Sequence, residues 1–121
     1  MLKIEQEDIS AYLGKIVTVM VDRPLGSRHP RHLDIQYPVN YGYIPGILGG
    51  DGEPQDVYLL GVYTPVEQYT AQIIALVHRE NDVEDKLVAA PAGVLFSVEE
   101  ILEQIKFQEQ YFQTWIQLLQ E

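Results

Sequence analysis

Short runs of β-branched and apolar residues, separated by glycine- and proline-rich turns, limit this chain to a small fold made mainly of strands. Residues 15–22 alternate in the manner of a strand with one buried face. Residues 56–63, 69–78 and 86–90 form three further short runs, and turn-forming residues lie between them. Strands of this length pair into a curved sheet or a small barrel.

The C-terminal segment has the clearest helical pattern. Ser97 and Glu100 have the spacing of a capping box. Apolar residues then recur at helical intervals, at Val98, Ile101, Ile105, Phe112, Trp115, Ile116 and Leu119. Residues 5–13 are predicted to form a second, short helix that ends at Gly14. Residues 1–121 are therefore predicted to be a single α+β domain, mostly β, with a long C-terminal amphipathic helix packed on the strands.

The composition excludes several classes of protein. The chain has no cysteine, which rules out disulfides, thiolate zinc sites and a cysteine nucleophile. A formal net charge of −10 predicts no general affinity for nucleic acid or for an anionic membrane. No apolar run approaches the roughly 18 to 20 residues of a membrane span, and the acidic N-terminal segment is unlike a signal peptide. We expect a cytoplasmic protein.

Positive charge is concentrated in one predicted loop. Three of the four arginines, Arg23, Arg28 and Arg31, lie between residues 23 and 32. In an acidic chain, a basic segment of this kind indicates a local site for an anion. By itself the segment is equally well interpreted as a solvated loop.

Three carboxylates lie within six residues at a glycine-rich turn. Asp51 and Glu53 are two apart, so on extended backbone their side chains point the same way, and Asp56 follows at the start of a strand. Carboxylates crowded together repel one another unless a cation lies between them, and Mg²⁺ binds one or two carboxylates together with waters and phosphate oxygens. The alternative interpretation is a hydrophilic hairpin turn with Asp-Gly at its tip.

Hydrogen-bond donors precede and follow these acids. Tyr37 and Tyr41 could donate to phosphate oxygens, although aromatic packing in a barrel is the alternative for each. Lys86 begins a strand directly after the acidic residues 82–85 and is a candidate phosphate contact. Cations, phenols and acids in this order favour a site for a highly charged anion with bound metal.

Residues 36–63 resemble the central block of the family I soluble inorganic pyrophosphatases. The shared pattern is Tyr-Pro-x-Asn-Tyr-Gly-Tyr-Ile, a short spacer and then Asp-Gly-Asp-Pro-x-Asp-Val, which here covers residues 37–44 and 51–57. Residues 84–91 are similar to the family's later Asp-x-Lys block, and the C-terminal segment with Tyr111 is similar to its last helix. The resemblance implies an OB-like β-barrel of about five strands, a requirement for Mg²⁺, a small phosphate-anhydride substrate and a homo-oligomer.

The resemblance also implies roles for individual residues. Metal ligands are expected at Asp51, Asp56, Asp82 and Glu84. Glu53 falls on the general base, which takes a proton from the attacking water. Substrate-binding positions are expected at Tyr37, Tyr41, Lys86 and Tyr111. Arg28 or Arg31 is expected to replace family cations that are missing here.

Several departures from the family pattern leave alternatives open. Glu53 and Glu84 stand where the family has aspartates, and Phe112 stands where it has a lysine after Tyr111. The expected function is Mg²⁺-dependent hydrolysis of inorganic pyrophosphate to phosphate. A hydrolase of another small phosphoanhydride, such as a nucleotide, is one alternative. A non-catalytic homologue that binds phosphate or metal is the other.

Overall fold

The computed structural model describes residues 9–82 and 84–119, and the structural statements below concern those residues. The elements follow in chain order: a 3₁₀ helix Ile9–Tyr12, β1 Ile16–Arg23, β2 Asn40–Leu48, β3 Pro54–Leu59, β4 Gln68–Arg79, β5 Lys86–Ala90, α1 Val98–Glu109 and β6 Thr114–Leu118. The strands predicted over 15–22, 69–78 and 86–90 are confirmed, and the strand predicted over 56–63 spans Pro54–Leu59 instead.

Five strands close into a barrel, in the order β1–β2–β3–β5–β4 and back to β1. All of these pairs are antiparallel except β3–β5, which is parallel. The twelve-residue β4 is long enough to pair with two strands along one edge. Its first half pairs with β1, and its second half pairs with β6. The predicted mostly β barrel with a C-terminal helix is confirmed.

Alternation along the strands separates two hydrophobic cores. In β3, Val57 and Leu59 belong to a cluster with Val19 and Ile73, which fills the barrel. Tyr58, which lies between them in sequence, faces the other way into a second cluster with residues of α1. The helix thus covers one outer face of the barrel. Because alternate residues of a strand share a face, Asp56, two residues before Tyr58, lies at the end of this same face.

Gly42 permits the close approach of β1 and β2. A Cβ atom at this position would collide with the backbone carbonyl of Met20, so a larger residue would force the two strands apart. Because Tyr41 and Tyr43 flank this glycine, the close approach fixes where β2 places Tyr41 relative to the end of β1.

The C-terminal helix begins with the predicted capping box at Ser97 and Glu100 but ends at Glu109. The prediction that the helical pattern continues through Phe112, Trp115, Ile116 and Leu119 is wrong. Residues 114–118 instead form β6, which pairs with the edge of β4. The backbone hydrogen bonds gained at this edge outweigh local helical preference. Tyr111 consequently lies in the turn after the helix.

The predicted N-terminal helix is only partly within the described residues. Residues 9–12 form a single 3₁₀ turn, which ends before Gly14 as expected, and residues 5–8 lie outside the described part of the chain. In the described part, no helix combines the length and the apolar character needed to cross a membrane.

Candidate functional site

A cleft of about 630 Å³ opens where the end of β1, the starts of β3 and β5, and the end of α1 meet. Asp22 and Arg23 line it from β1, Asp56 from β3 and Lys86 from β5. Further walls come from the loop between β1 and β2, from the end of β4 and from the turn after α1. The cleft therefore gathers residues that are far apart in sequence.

Lys86 forms the buried floor of the cleft. The parallel register pairs Val57 with Leu87, so the residues just before them, Asp56 and Lys86, lie side by side on the face shared with α1. Lys86 Nζ donates to Asp56 Oδ2 at 2.6 Å and also to Glu84 Oε1. Burial lowers the pKa of Lys86, while the Asp56 carboxylate acts in the opposite direction. Lys86 is thus a desolvated cation held between two carboxylates.

Two tyrosines line the cleft beside this lysine. The ring of Tyr41 lies with its centroid 5.9 Å from Lys86 Nζ, and burial raises the pKa of its phenol well above the ordinary value. Tyr37 OH accepts a hydrogen bond from Arg23 Nη1 at 2.9 Å. Burial also raises the pKa of Tyr37, although Arg23 opposes the shift. Both phenols therefore remain protonated donors at neutral pH.

A buried ion pair supports the back of the cleft. Arg79 Nη2 and Nε donate to the two carboxylate oxygens of Glu109 at 2.5 and 3.0 Å. Tyr58 OH donates to the same carboxylate at 2.5 Å. Burial acts to raise the pKa of Glu109, but the hydrogen bonds from Arg79 outweigh it and hold that pKa below the ordinary 4.5. The pair joins the end of β4 to the end of α1.

The structure brings together five of the residues predicted for the site: Tyr37, Tyr41, Asp56, Lys86 and Tyr111 all line the cleft. Arg28 and Arg31 do not. Arg28 Nη1 donates to the backbone oxygen of Leu33 at 2.8 Å, within its own loop. Asp82 Oδ2 accepts from Arg79 Nη1 at 2.9 Å.

Asp51 and Glu53 lie on the exposed turn between β2 and β3. The Glu53 backbone N–H donates to Asp51 Oδ1 at 3.0 Å, and the Gly49 N–H donates to the Glu53 carbonyl at 2.8 Å. The Glu53 side chain is exposed and is not among the residues that line the cleft. The turn thus holds these two acids outside the lining of the cleft.

Two of the predicted metal ligands, Asp51 and Glu84, lie close to each other. Within residues 9–82 and 84–119, no three His, Cys, Asp or Glu side chains lie close enough together to hold a metal ion. Two carboxylates do converge, because a Cβ atom placed on Gly49 would lie 3.4 Å from both Asp51 Oδ1 and Glu84 Oε2. Hard oxygen donors around an open space suit a cation such as Mg²⁺, so these residues fit the expected ion.

Sequence reasoning missed several cleft residues. Arg23 was part of the basic segment but was not predicted as a ligand, and Arg79 and Gln108 were not singled out at all. The remaining unpredicted lining residues are Asp22, His29, His32, Asp34, Ile35 and Phe112. A signal existed for Arg23, which follows an acid at the end of a strand, but nothing local marks Arg79 or Gln108.

The sequence is similar to those of known proteins over most of its length. A family model described as inorganic pyrophosphatase matches residues 8–119. The chain is 36% identical over 91 residues to an inorganic pyrophosphatase of Saccharolobus solfataricus, an alignment that covers 72% of this chain and 44% of that protein. It is 33% identical over 107 residues to that of Ralstonia nicotianae, covering 75% and 58%. The chain thus spans less than two thirds of the length of either relative.

Solved structures show the same fold. An inorganic pyrophosphatase from Ehrlichia chaffeensis superposes with a TM-score of 0.68 at 18% identity, covering 98% of this chain and 92% of that one. One from Neisseria gonorrhoeae gives a TM-score of 0.61 at 24% identity, covering 89% and 78%. At these identities the likeness concerns the fold alone.

Proposed function

The chain belongs to the inorganic pyrophosphatase family, and we propose that it hydrolyses inorganic pyrophosphate to phosphate with the help of Mg²⁺. The observation that carries the proposal is the cleft, in which Lys86 and Arg23 stand beside two protonated tyrosines in a chain of net charge −10. A concentration of donors in so acidic a chain suits a small, highly charged anion.

The cations and phenols bind and orient the substrate in this proposal. Lys86 is desolvated, so its charge acts on a phosphate oxygen with less screening than it would in water. Arg23 keeps further N–H groups available beyond the one given to Tyr37, and a guanidinium suits phosphate geometry. Donors fixed in this way stabilise charge that develops on the transferring phosphoryl group.

Glu53 is proposed as the general base that accepts the proton of the attacking water. Asp51 and Glu84, together with Asp56 at the cleft, are proposed to hold Mg²⁺. When bound, this ion supplies neutralisation of phosphate charge and acidification of water. Asp82 and Tyr111 remain proposed as a further ligand and a further phosphate contact, respectively.

The same proposal covers the setting in which the protein works. Its partner is a small phosphate anhydride rather than a nucleic acid or a membrane, and it acts in the cytoplasm as a homo-oligomer. The family membership and the negative net charge support these statements.

The proposal is tested by measuring phosphate release from the full chain with Mg²⁺ and a panel of pyrophosphate, tripolyphosphate and nucleotides. We expect pyrophosphate to be the best substrate. Lys86→Gln should reduce release by roughly 10²-fold or more, because a positioned donor to the developing charge is lost. Lys106→Gln is the matched control, since Lys106 is exposed on α1 and pairs with Glu103.

Each contrary outcome identifies another function. Release from a nucleotide but not from pyrophosphate would assign an altered substrate. Binding of pyrophosphate without turnover would make the chain a binding module. Equal activity of the Lys86→Gln and Lys106→Gln variants would show that Lys86 and its cleft do not take part in the reaction.

A further inference from the structure

Three oxygen atoms, rather than two, converge above Gly49. A Cβ atom on this buried glycine would lie 3.4 Å from Asp51 Oδ1, from Gln55 Oε1 and from Glu84 Oε2. Gly49 does not have a positive φ angle, so the backbone conformation does not itself call for glycine. The missing side chain leaves a gap about the size of one methyl group, which the three oxygens border.

The third oxygen belongs to a fully buried amide whose orientation is fixed. Gln55 Nε2 donates to the backbone oxygen of Asp85 at 2.7 Å and to that of Asp56 at 3.0 Å. Both partners are acceptors, so the NH₂ group must face them and the oxygen must face the space above Gly49. Gln55 Oε1 is buried and has no hydrogen-bond donor within the described residues.

A buried oxygen without a hydrogen-bond donor, such as Gln55 Oε1, lowers the stability of the fold. A buried polar group without a partner costs about 1–3 kcal/mol, and the nearby carboxylate oxygens cannot donate to it when ionised. Lys86 does not relieve the cost, because its ammonium donates to Asp56 and to the other oxygen of Glu84. The space therefore collects two carboxylate oxygens and a buried amide oxygen, a set that a bound cation would satisfy.

We propose that Gln55 Oε1 is a ligand for a hard divalent cation, which it shares with Asp51 and Glu84. The inference rests on the proposed function for the nature of the cation, but it concerns a neutral third ligand that the pattern of acidic residues does not reveal. Carbonyl and carboxylate oxygens suit Mg²⁺ and Mn²⁺. Within the described residues no three His, Cys, Asp or Glu side chains could hold a metal ion by themselves. The amide oxygen is the third donor that this space offers.

The charge balance supports a single divalent ion. Ionised Asp51, Asp56 and Glu84 carry three negative charges between them. Lys86 offsets one of these charges, and one divalent cation would offset the other two. A neutral amide adds an oxygen without adding a further charge that the cation would have to offset.

The test measures cation binding directly, by the loss of the free Mn²⁺ electron paramagnetic resonance signal and by Mg²⁺ calorimetry on the full chain. Gln55→Met keeps the side-chain length and removes the oxygen. Gly49→Ala fills the open space with a methyl group. Each should weaken binding at least roughly 10-fold, the lower end of the loss seen when even an outer-shell partner is removed.

Two further variants separate ligation from structure. Gln55→Glu loses the amide donor but keeps an oxygen, so it should retain or tighten Mn²⁺ binding, whereas a purely structural glutamine would make Glu and Met equally harmful. Gln72→Met is the matched control, because Gln72 Nε2 donates to the Gly14 carbonyl at 3.0 Å from another strand. This control should bind Mn²⁺ as the wild type does.

Unchanged Mn²⁺ affinity in both Gln55→Met and Gly49→Ala would overturn the inference. If Gln55→Met fails to fold by circular dichroism, Gly49→Ala alone decides. If the wild type hydrolyses pyrophosphate and both variants bind Mn²⁺ as it does, the proposed function stands and the role of Gln55 as a ligand is rejected. If Mn²⁺ binding depends on Gln55 but the wild type releases no phosphate, the role of Gln55 as a ligand stands and the proposed function is rejected.

Discussion

Lys86 Nζ lies 2.6 Å from Asp56 Oδ2, and this ion pair joins two parallel strands at the floor of the cleft. The pair follows from the register of β3 and β5, which brings the two residues side by side on one face. One oxygen of Asp56 is therefore engaged by a fixed positive charge, whereas Asp51 has an oxygen directed at the space above Gly49. Two acids from one sequence cluster thus have different surroundings.

This difference leads to a prediction about Mg²⁺ affinity. Asp51→Asn should weaken Mg²⁺ binding in calorimetry more than Asp56→Asn does, because Lys86 already offsets the charge of Asp56. Both variants should fold, since Asp51 is exposed and Asp56 is partly so. Glu67→Gln is the control for a general loss of negative charge, because Glu67 is exposed. Equal affinities in the wild type and both asparagine variants would contradict the prediction.

Arg23 is predicted to bind substrate, in place of Arg28 and Arg31. Arg23→Gln should raise the KM for pyrophosphate by roughly 10-fold or more, in keeping with the 1.5–3 kcal/mol of a hydrogen bond to a charged group. Arg28→Gln and Arg31→Gln should change it little at physiological salt, because both side chains are exposed to screening by salt and neither lines the cleft. Steady-state kinetics at low and physiological salt would measure this.

The reverse ranking would contradict the assignment. If the Arg28→Gln or Arg31→Gln variant raised the KM and the Arg23→Gln variant did not, the cleft would not be the anion-binding site. Tyr37→Phe offers a further check, because it removes the phenol that accepts from Arg23 Nη1 and should affect the same kinetic constant.

The barrel and the start of the helix could be predicted because their signals are local. Alternating β-branched residues identified β1, β4 and β5, and the capping box at Ser97 and Glu100 identified the first turn of α1. Tyr41, Asp56 and Lys86 could be assigned to one site from their order within a recognisable pattern. Their mutual contacts required the parallel register of β3 and β5, which no local signal gives.

The misses have non-local causes. The helix ends early because residues 114–118 gain backbone partners on β4, an edge that the sequence does not display. Strict alternation along β1 would put Arg23 on the same face as Val21. A register shift between these two residues interrupts the alternation, so the sequence alone does not show which way Arg23 points. The sequence does not distinguish Gln55 from the charged residues beside it. Its proposed role as a ligand depends on the burial of its side-chain oxygen next to Gly49, which only the structure shows.

The general base is tested at Glu53. Glu53→Gln keeps the size of the side chain and removes the base, so it should reduce kcat by roughly 10²–10⁴-fold with little change in Mg²⁺ affinity. The side chain is exposed, so stability should not change. Glu53→Asp shortens it by one methylene, and raised pyrophosphate turnover would indicate that the longer glutamate places the base imperfectly.

Two outcomes would count against this role. An undiminished kcat in Glu53→Gln would exclude Glu53 as the base. A wild type without turnover that Glu53→Asp does not rescue would favour the binding-module interpretation over an enzyme.

The last prediction concerns the buried pair of Arg79 and Glu109 and the dependence of stability on pH. The pKa of Glu109 is held below 4.5 in the folded state, so an unfolded chain takes up this proton at a higher pH than the folded chain does. The stabilisation from this group is therefore complete above about pH 4.5 and is lost as the pH falls through the folded pKa. Urea unfolding between pH 3 and 7 should show this loss in the wild type.

Glu109→Gln isolates the contribution of this group. At pH 7 it should lower the free energy of unfolding by up to about 3–5 kcal/mol, the cost of breaking a buried ion pair. The buried Arg79 charge then relies on its pair with the partly exposed Asp82. The gap between wild type and variant should narrow as the pH falls below 4.5, because the unfolded wild-type chain then takes up a proton that the folded chain does not. The narrowing should end once the folded carboxyl is protonated as well. Glu103→Gln, which alters an exposed pair with Lys106 on the same helix, should produce neither effect. A gap that stays constant from pH 7 to pH 3 would mean that the charge of Glu109 does not contribute to the stability of the fold.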